Sequence, residues 1–370
     1  MTDAGRRQFL ATAGGLGLLA LAGCSGDDEP APSSGASPSG SSPAPSATPS
    51  IDPAVADTVV DGLNVPWGIV FLPGGDALVS QRDEGTIVRV PRDGEPRTLG
   101  QVAGARGGAG GEAGLLGLAL DPDEPTRLFA YVTTASDNRV VSIDLRGGRL
   151  SEPTPVLTGI PLGGRHHGGR LLFGADKALY VATGEAGDTE LAQDRDSLGG
   201  KVLRIDRRGR AASGNPFGNR VWSYSHRNIE GLAFDDAGRL WATEFGEKKA
   251  DELNLIRRGR NYGWPQAEGD EGGDGLVRPV VTWGTDDCSP GGLAITRSTA
   301  FVPALQGECL WVVPLDGRTA GMPRAVARGK HGRLRTAVVT PDGDLWVTTS
   351  NTDGRGEPRS GDDRILRVTL

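Results

Sequence analysis

The chain has 370 residues, of which 58 are Gly and 25 Pro, while 37% are hydrophobic and 5% aromatic. That much turn-forming residue with so little aromatic content excludes a helical bundle and a multi-pass membrane protein, and fits many short strands joined by tight turns. Lys and Arg total 40 against 47 Asp and Glu, a formal charge of −7; a mildly acidic chain without a basic stripe is not a nucleic-acid binder. The length would divide into two average domains, yet all-β barrels and propellers exceed that size as single units.

In chain order, an address and a tether come first. Arg6-Arg7-Gln8-Phe9-Leu10 has the R-R-x-F-L form of a twin-arginine export signal. The apolar run behind it, Phe9 to Gly23, is too short and Gly-rich to span a bilayer stably. It ends in Leu21-Ala22-Gly23-Cys24, which resembles a bacterial lipobox. Residues 1–23 then read as a cleaved signal peptide, and Cys24 as a diacylated anchor that holds the protein on the outer face of a membrane through lipid alone. An uncleaved anchor helix with a chance Cys is the alternative. Behind Cys24, up to residue 56, Ser, Pro, Gly, Ala and acids dominate, so a disordered linker is expected ahead of one extracytoplasmic domain, 57–370.

From Trp67 onward one unit recurs six times: a Gly-apolar-Ala-apolar strand, a turn, a Leu-Trp/Tyr-Val-Thr strand, a polar loop, and a third strand of Val-x-Arg-Ile/Val type. First strands fall at Trp67–Phe71, Leu116–Leu120, Gly169–Phe173, Gly231–Phe234, Gly292–Ile295 and Arg335–Val339. Second strands are clearest at Ala178–Thr183, Arg239–Thr243 and Asp344–Thr348, and third strands at Ile87–Val90, Val202–Asp206 and Ile365–Val368. Six such units, bounded by turns such as Pro341-Asp342-Gly343, predict an all-β, six-bladed β-propeller. The chain ends on a third strand, so Ala56–Gly62 is expected to supply the missing outer strand and close the ring. No segment reads as a long amphipathic helix.

With Cys24 assigned to lipid, Cys288 and Cys309 remain as an even pair in an oxidising compartment, where a disulfide is expected. It would close a loop of about 20 residues and contribute about 3 kcal/mol. Two buried free thiols are the alternative.

Site residues of a propeller sit where loops converge on the central channel, at the starts of first strands. Three patches stand there. In Arg165-His166-His167-Gly168-Gly169-Arg170, a His at the channel mouth is placed as a general base, against the plainer reading of a surface His pair. Tyr224-Ser225-His226-Arg227-Asn228-Ile229-Glu230-Gly231 precedes the fourth first strand. Lys330-His331-Gly332-Arg333-Leu334-Arg335 precedes the sixth, and its alternation aims both guanidiniums to one side. That pair suits an anionic ligand with several carboxylates, which Arg grips in bidentate fashion. Any one Arg is ordinarily a solvated salt bridge; several at blade starts point to a ligand.

Over residues 62–370 the chain resembles the soluble pyrroloquinoline quinone-dependent sugar dehydrogenases, particularly the aldose sugar dehydrogenase branch. The resemblance is carried by Gly111-Glu112-Ala113-Gly114-Leu115-Leu116-Gly117, His166-His167-Gly168-Gly169-Arg170-Leu171, and His226-Arg227-Asn228 with Gly231-Leu232-Ala233-Phe234. Asp251-Glu252-Leu253-Asn254, Asn261-Tyr262-Gly263-Trp264-Pro265, Arg333-Leu334-Arg335 and Pro341-Asp342-Gly343 complete it. It implies that His166 takes the proton of the sugar C1 hydroxyl and that Glu185 orients this His. Arg227 would lie beside the quinone C5 carbonyl and hold the charge arriving with the hydride, with Asn228 on the same edge. Arg333 and Arg335 would clamp cofactor carboxylates. A Ca²⁺ ion would be held through the carbonyls of Gly246 and Glu247, and a structural Ca²⁺ by Glu252 and Tyr262. The product would be an aldonolactone, and an unidentified redox partner would take the electrons.

Three positions depart from the family pattern. Glu112 and Gln306 stand where a cofactor-binding Gln and Lys are usual, and Arg165 replaces an Asp or Asn. Two other readings stay open: a Ca²⁺-dependent lactonase, which would need carboxylates converging on a channel metal, and a catalytically silent propeller that binds sugar or protein.

Overall fold

The computed structural model describes residues 51–108 and 110–370; the export motif, Cys24 and the spacer up to residue 50 lie outside the described residues. The described chain forms six antiparallel sheets, four of four strands and two of five. Blade 1 is built from Pro66–Phe71, Ala77–Gln81, Thr86–Val90 and Arg97–Gln101. Blade 2 uses Leu115–Leu120, Arg127–Thr133, Asn138–Arg146 and Thr154–Ile160; blade 3 uses Gly168–Phe173, Leu179–Thr183, Lys201–Ile205 and Val221–Tyr224. Blade 4 comprises Ile229–Phe234, Leu240–Glu244, Asp251–Ile256 and Val281–Trp283, and blade 5 Ala294–Thr296, Thr299–Ala304, Cys309–Asp316 and Arg324–Val326. Blade 6 joins Leu334–Val339, Leu345–Thr349 and Ile365–Thr369 to Ala54–Val60, so the N-terminal strand closes the ring as expected. That strand starts two residues earlier than the sequence suggested, because Val55 packs into the seam with blade 5.

The Gly of the repeat has a steric cause. A Cβ at Gly68 would stand 2.8 Å from the Leu116 carbonyl and the Leu118 nitrogen of the next blade. At Gly117 it would strike the Gly169 carbonyl, and at Gly231 it would lie 2.8 Å from the Gly292 carbonyl carbon. Neighbouring first strands approach so closely around the axis that no side chain fits between them. Six apolar clusters fill the six seams between blades, for instance Phe129 and Tyr131 of blade 2 against Leu171 and Val181 of blade 3. The core is therefore distributed around the ring.

The expected disulfide is not formed. Cys288 and Cys309 are free and wholly buried, in the seam where blade 4 meets blade 5, beside Trp241 and Val302. Burial pushes both thiols up, Cys309 to about 11, so they persist protonated and pack as small hydrophobes. Among the described residues the helix is limited to Glu190–Gln193, and no helix is long and apolar enough to cross a membrane.

Candidate active site

Loops that enter the first strands and turns that join second to third strands open on the same face, and the residues picked out above collect there. His166 lies on the loop entering blade 3 with φ +59°, a left-handed conformation that a non-Gly residue holds only when its surroundings impose it. Its N–H donates to Glu112 Oε2 at 2.7 Å, and its carbonyl accepts from Ala186 N at 3.1 Å. Its Nδ1 lies 2.7 Å from both Glu185 oxygens. A carboxylate at Nδ1 fixes the proton there and leaves Nε2 as the acceptor. His167, in contrast, meets only the Asn138 Oδ1 at 3.2 Å, and burial holds its pKa below the usual value. Only one of the two histidines has a carboxylate partner.

Glu112 is a carboxylate at work on two neighbours. Burial opposes its charge, but the His166 N–H and the Arg355 guanidinium outweigh burial and hold its pKa below the ordinary value. Arg355 Nη2 reaches its Oε1 at 3.0 Å. The anion that departs from the family pattern is thus neutralised by a residue the sequence reading did not single out.

Arg227 and Asn228 stand on the loop entering blade 4. Glu244 anchors that loop: one oxygen accepts from Arg227 N at 2.5 Å, the other meets His226 Nδ1 at 2.8 Å. The Arg227 guanidinium lies 5.4 Å from the Trp264 ring centre and donates to the Phe245 carbonyl at 3.3 Å. Asn228 Oδ1 accepts from Gly168 N at 2.9 Å, which ties this loop to the one carrying His166.

Arg333 and Arg335 meet at Asp353, whose Oδ2 accepts from both at 3.1 and 3.3 Å. Arg335 also pairs with Glu230 at 2.8 Å. A closed circuit results around the channel mouth, running Glu112, His166, Gly168, Asn228, Glu230, Arg335, Asp353, Arg355 and back to Glu112. Below it, Arg170 occupies the position that is Gly in four of the other first strands. Its Nε donates to the Glu230 carbonyl, its Nη2 to Thr336 Oγ1, and its guanidinium lies 4.2 Å from the Trp67 ring centre. One side chain from blade 3 therefore reaches blades 4, 6 and 1.

Other expected site residues lie apart from this circuit. Gln306 is exposed on the turn between Thr299–Ala304 and Cys309–Asp316. Gly246 and Glu247 follow Phe245 beside Arg227, where the Gly246 N–H donates to Asp251 at 2.9 Å. Glu252 accepts from Asn254 Nδ2 and Gly269 N, each at 2.8 Å, and burial with Glu244 nearby pushes its pKa up to about 8. The Tyr262 hydroxyl donates to the Leu255 carbonyl at 2.6 Å and its ring stacks on His226. Both residues back the His226–Glu244 pair from behind. Among the described residues no group of three or more His, Cys, Asp or Glu is arranged to hold a metal.

The fit to an anionic cofactor rests on orphaned donors. Arg227 Nε and Arg82 Nη2 are buried without partners, and an unmet buried guanidinium N–H is costly unless an acceptor arrives. Arg82, at the end of a second strand, is 2% exposed and close enough for its charge to act on His167 and Glu230. Sequence reasoning missed it because an Arg after Leu78-Val79-Ser80-Gln81 looks like an ordinary strand end. A rigid polycarboxylate would supply the missing oxygens.

A propeller with a carboxylate-oriented histidine and a wall of arginines at one channel mouth has the layout of a cofactor-dependent dehydrogenase. The chain belongs to the glucose/sorbosone dehydrogenase family, whose model matches residues 63–366. It is similar to the PQQ-bound aldose sugar dehydrogenase of Streptomyces coelicolor, with 51% identity and a TM-score of 0.83 over 86% of this chain and 98% of that one. A Thermus thermophilus structure described as a putative oxidoreductase (glucose dehydrogenase) shares 42% identity and a TM-score of 0.80, over 86% and 100%. An aldose sugar dehydrogenase of Escherichia coli is 28% identical over 80% of this chain and 90% of its own length.

Proposed function

We propose that this protein oxidises the C1 hydroxyl of aldose sugars to the aldonolactone with pyrroloquinoline quinone as its cofactor. The observation that carries the reading is the His166–Glu185 pair beside a cluster of buried arginines with unmet donors. The similarity to a PQQ-bound relative supports it. When bound, the quinone would supply the acceptor for the C1 hydride. His166 Nε2 takes the hydroxyl proton, and Glu185 steadies the resulting imidazolium through the Nδ1 proton. Arg227 offers its unpaired Nε–H to the oxygen that gains charge, in a buried site where such a donor is worth most. Arg333 and Arg335, both bound to Asp353, would receive cofactor carboxylates; Asn228, Glu112 and Gln306 would line the rest.

Calcium would be held by the Gly246 and Glu247 carbonyls, hard oxygen donors beside Arg227, and would add Lewis acidity there. A second calcium would take the Glu252 carboxylate and the Tyr262 main-chain carbonyl, since the Tyr262 hydroxyl is committed to Leu255. A lactonase is disfavoured because the channel carboxylates Glu112, Glu230 and Asp353 face arginines. The twin-arginine and lipobox motifs support export with cleavage after residue 23 and tethering at Cys24 ahead of a linker and the catalytic ring, so the electron acceptor would be membrane-proximal or exported.

The test is a titration of the apo protein with the quinone and Ca²⁺, followed by glucose and a dye acceptor. Saturable binding with dye reduction is expected. No binding at micromolar cofactor would leave a sugar- or protein-binding propeller as the better account.

A further inference from the structure

Two guanidiniums and one backbone N–H converge on the Asp353 carboxylate. Oδ2 receives Arg333 and Arg335, while Oδ1 accepts the backbone N–H of Arg355 at 2.9 Å. The same aspartate therefore sets two side chains and turns the loop that presents a third. Gly354 has φ +85°, which suits that turn, and a side chain at Gly356 would collide with Arg333 Cδ and the Asn351 carbonyl. The loop is packed onto Arg333. Arg333, Arg335 and Asp353 are buried, whereas the Arg355 side chain is 53% exposed and reaches over the rim to Glu112.

Guanidinium donors around the mouth outnumber the acceptors that meet them. Burial pushes the pKa of Glu230 up, while those of Glu112 and Asp353 stay below their usual values. Arg333, Arg335 and Arg355 share Glu112, Glu230 and Asp353, and two more guanidiniums nearby, Arg82 beside Asp83 and Arg227, each keep a buried N–H without a partner. Buried guanidiniums with open donors make a site for an anion. Gln306, one blade away, adds no charge.

We propose that Arg355 is a further anion-binding residue of this site: it grips a carboxylate of the bound cofactor from the rim, and Glu112 holds it in place while also fixing the His166 backbone. This rests on the reading that the site takes pyrroloquinoline quinone, a tricarboxylate. In that role Arg355 stands in for a cation at position 306.

The experiment is an equilibrium titration of the cofactor-free protein with pyrroloquinoline quinone and Ca²⁺, read by tryptophan quenching, so no turnover is required. Arg355→Gln is expected to weaken binding about tenfold, the loss of one charge-assisted contact, with an unchanged thermal midpoint because the side chain is half exposed. Adding Glu112→Gln, which keeps an acceptor for the His166 N–H, leaves the double variant as weak as R355Q. Adding Gln306→Lys to R355Q restores affinity to within about threefold. Unchanged affinity in R355Q overturns the proposal, and so does a double variant R355Q/E112Q that binds like the unsubstituted protein, which would reduce Arg355 to a counter-ion for Glu112. If the unsubstituted protein itself fails to bind, the cofactor reading falls and takes this proposal with it.

Discussion

His166 is held from three sides, by Glu112 at its N–H, by Ala186 at its carbonyl and by Glu185 at its ring. Its imidazole can therefore be removed without disturbing the arginines across the mouth. His166→Ala is expected to keep cofactor affinity while turnover falls by about 10²–10⁴-fold; a rate within twofold of the unsubstituted protein would remove His166 as the base. The residue types of this site could be read from the sequence because they sit at a fixed point of the repeat, just ahead of first strands. Arg355 and Arg82 could not: like Glu185 they stand on turns past the ends of second strands, but unlike Glu185 neither matches a residue to which the resemblance gives a role. Their importance lies in partners such as Glu112 and in unmet donors, and only the folded arrangement shows either.

At the scale of a strand, the Gly-apolar-Ala-apolar pattern carried the fold because its Gly is a packing constraint between blades. Gly68 and Gly238 separate that constraint from backbone freedom. At Gly68 the backbone is ordinary but a Cβ meets the next blade, where Ser80 Oγ also bridges Gly68 N and the Leu116 carbonyl. At Gly238 φ is +73° and the space is open. Gly68→Ala is expected to cost about 3 kcal/mol by overpacking and Gly238→Ala about 1 kcal/mol for its left-handed backbone. Urea unfolding measures both, and the reverse ranking would refute the steric account. Cysteine counting failed at this same scale. It read Cys288 and Cys309 by compartment, whereas the blade 4–5 seam treats them as small apolar groups.

Across the whole ring, blades are also fastened by charge. Arg207 of blade 3 forks onto Asp121 of blade 2, at 2.6 and 2.8 Å. Burial opposes the Asp121 charge, but Arg207 and the N–H groups of Asp123 and Glu124 outweigh it and hold the pKa below 3.8. A depressed carboxylate contributes stability that is complete above its unfolded pKa and disappears as the pH falls through the folded one. Asp121→Asn is therefore expected to cost about 2 kcal/mol at pH 7, with the difference shrinking steadily once the pH drops below 3.8. A pH-independent difference would show that the loss is one of shape.

Arg170 has one more implication. Held by the Glu230 carbonyl and Thr336, it stands between the His166 mouth and a cavity of about 940 Å³ at the opposite end of the ring, which it also lines. Under the proposed function the reactants have one mouth, the one beside His166. On that reading, sugar, lactone and oxidant would use it in turn, so the product would have to vacate before the oxidant could enter. Steady-state double-reciprocal plots at several oxidant concentrations should then be parallel, and converging lines would reveal a second way in.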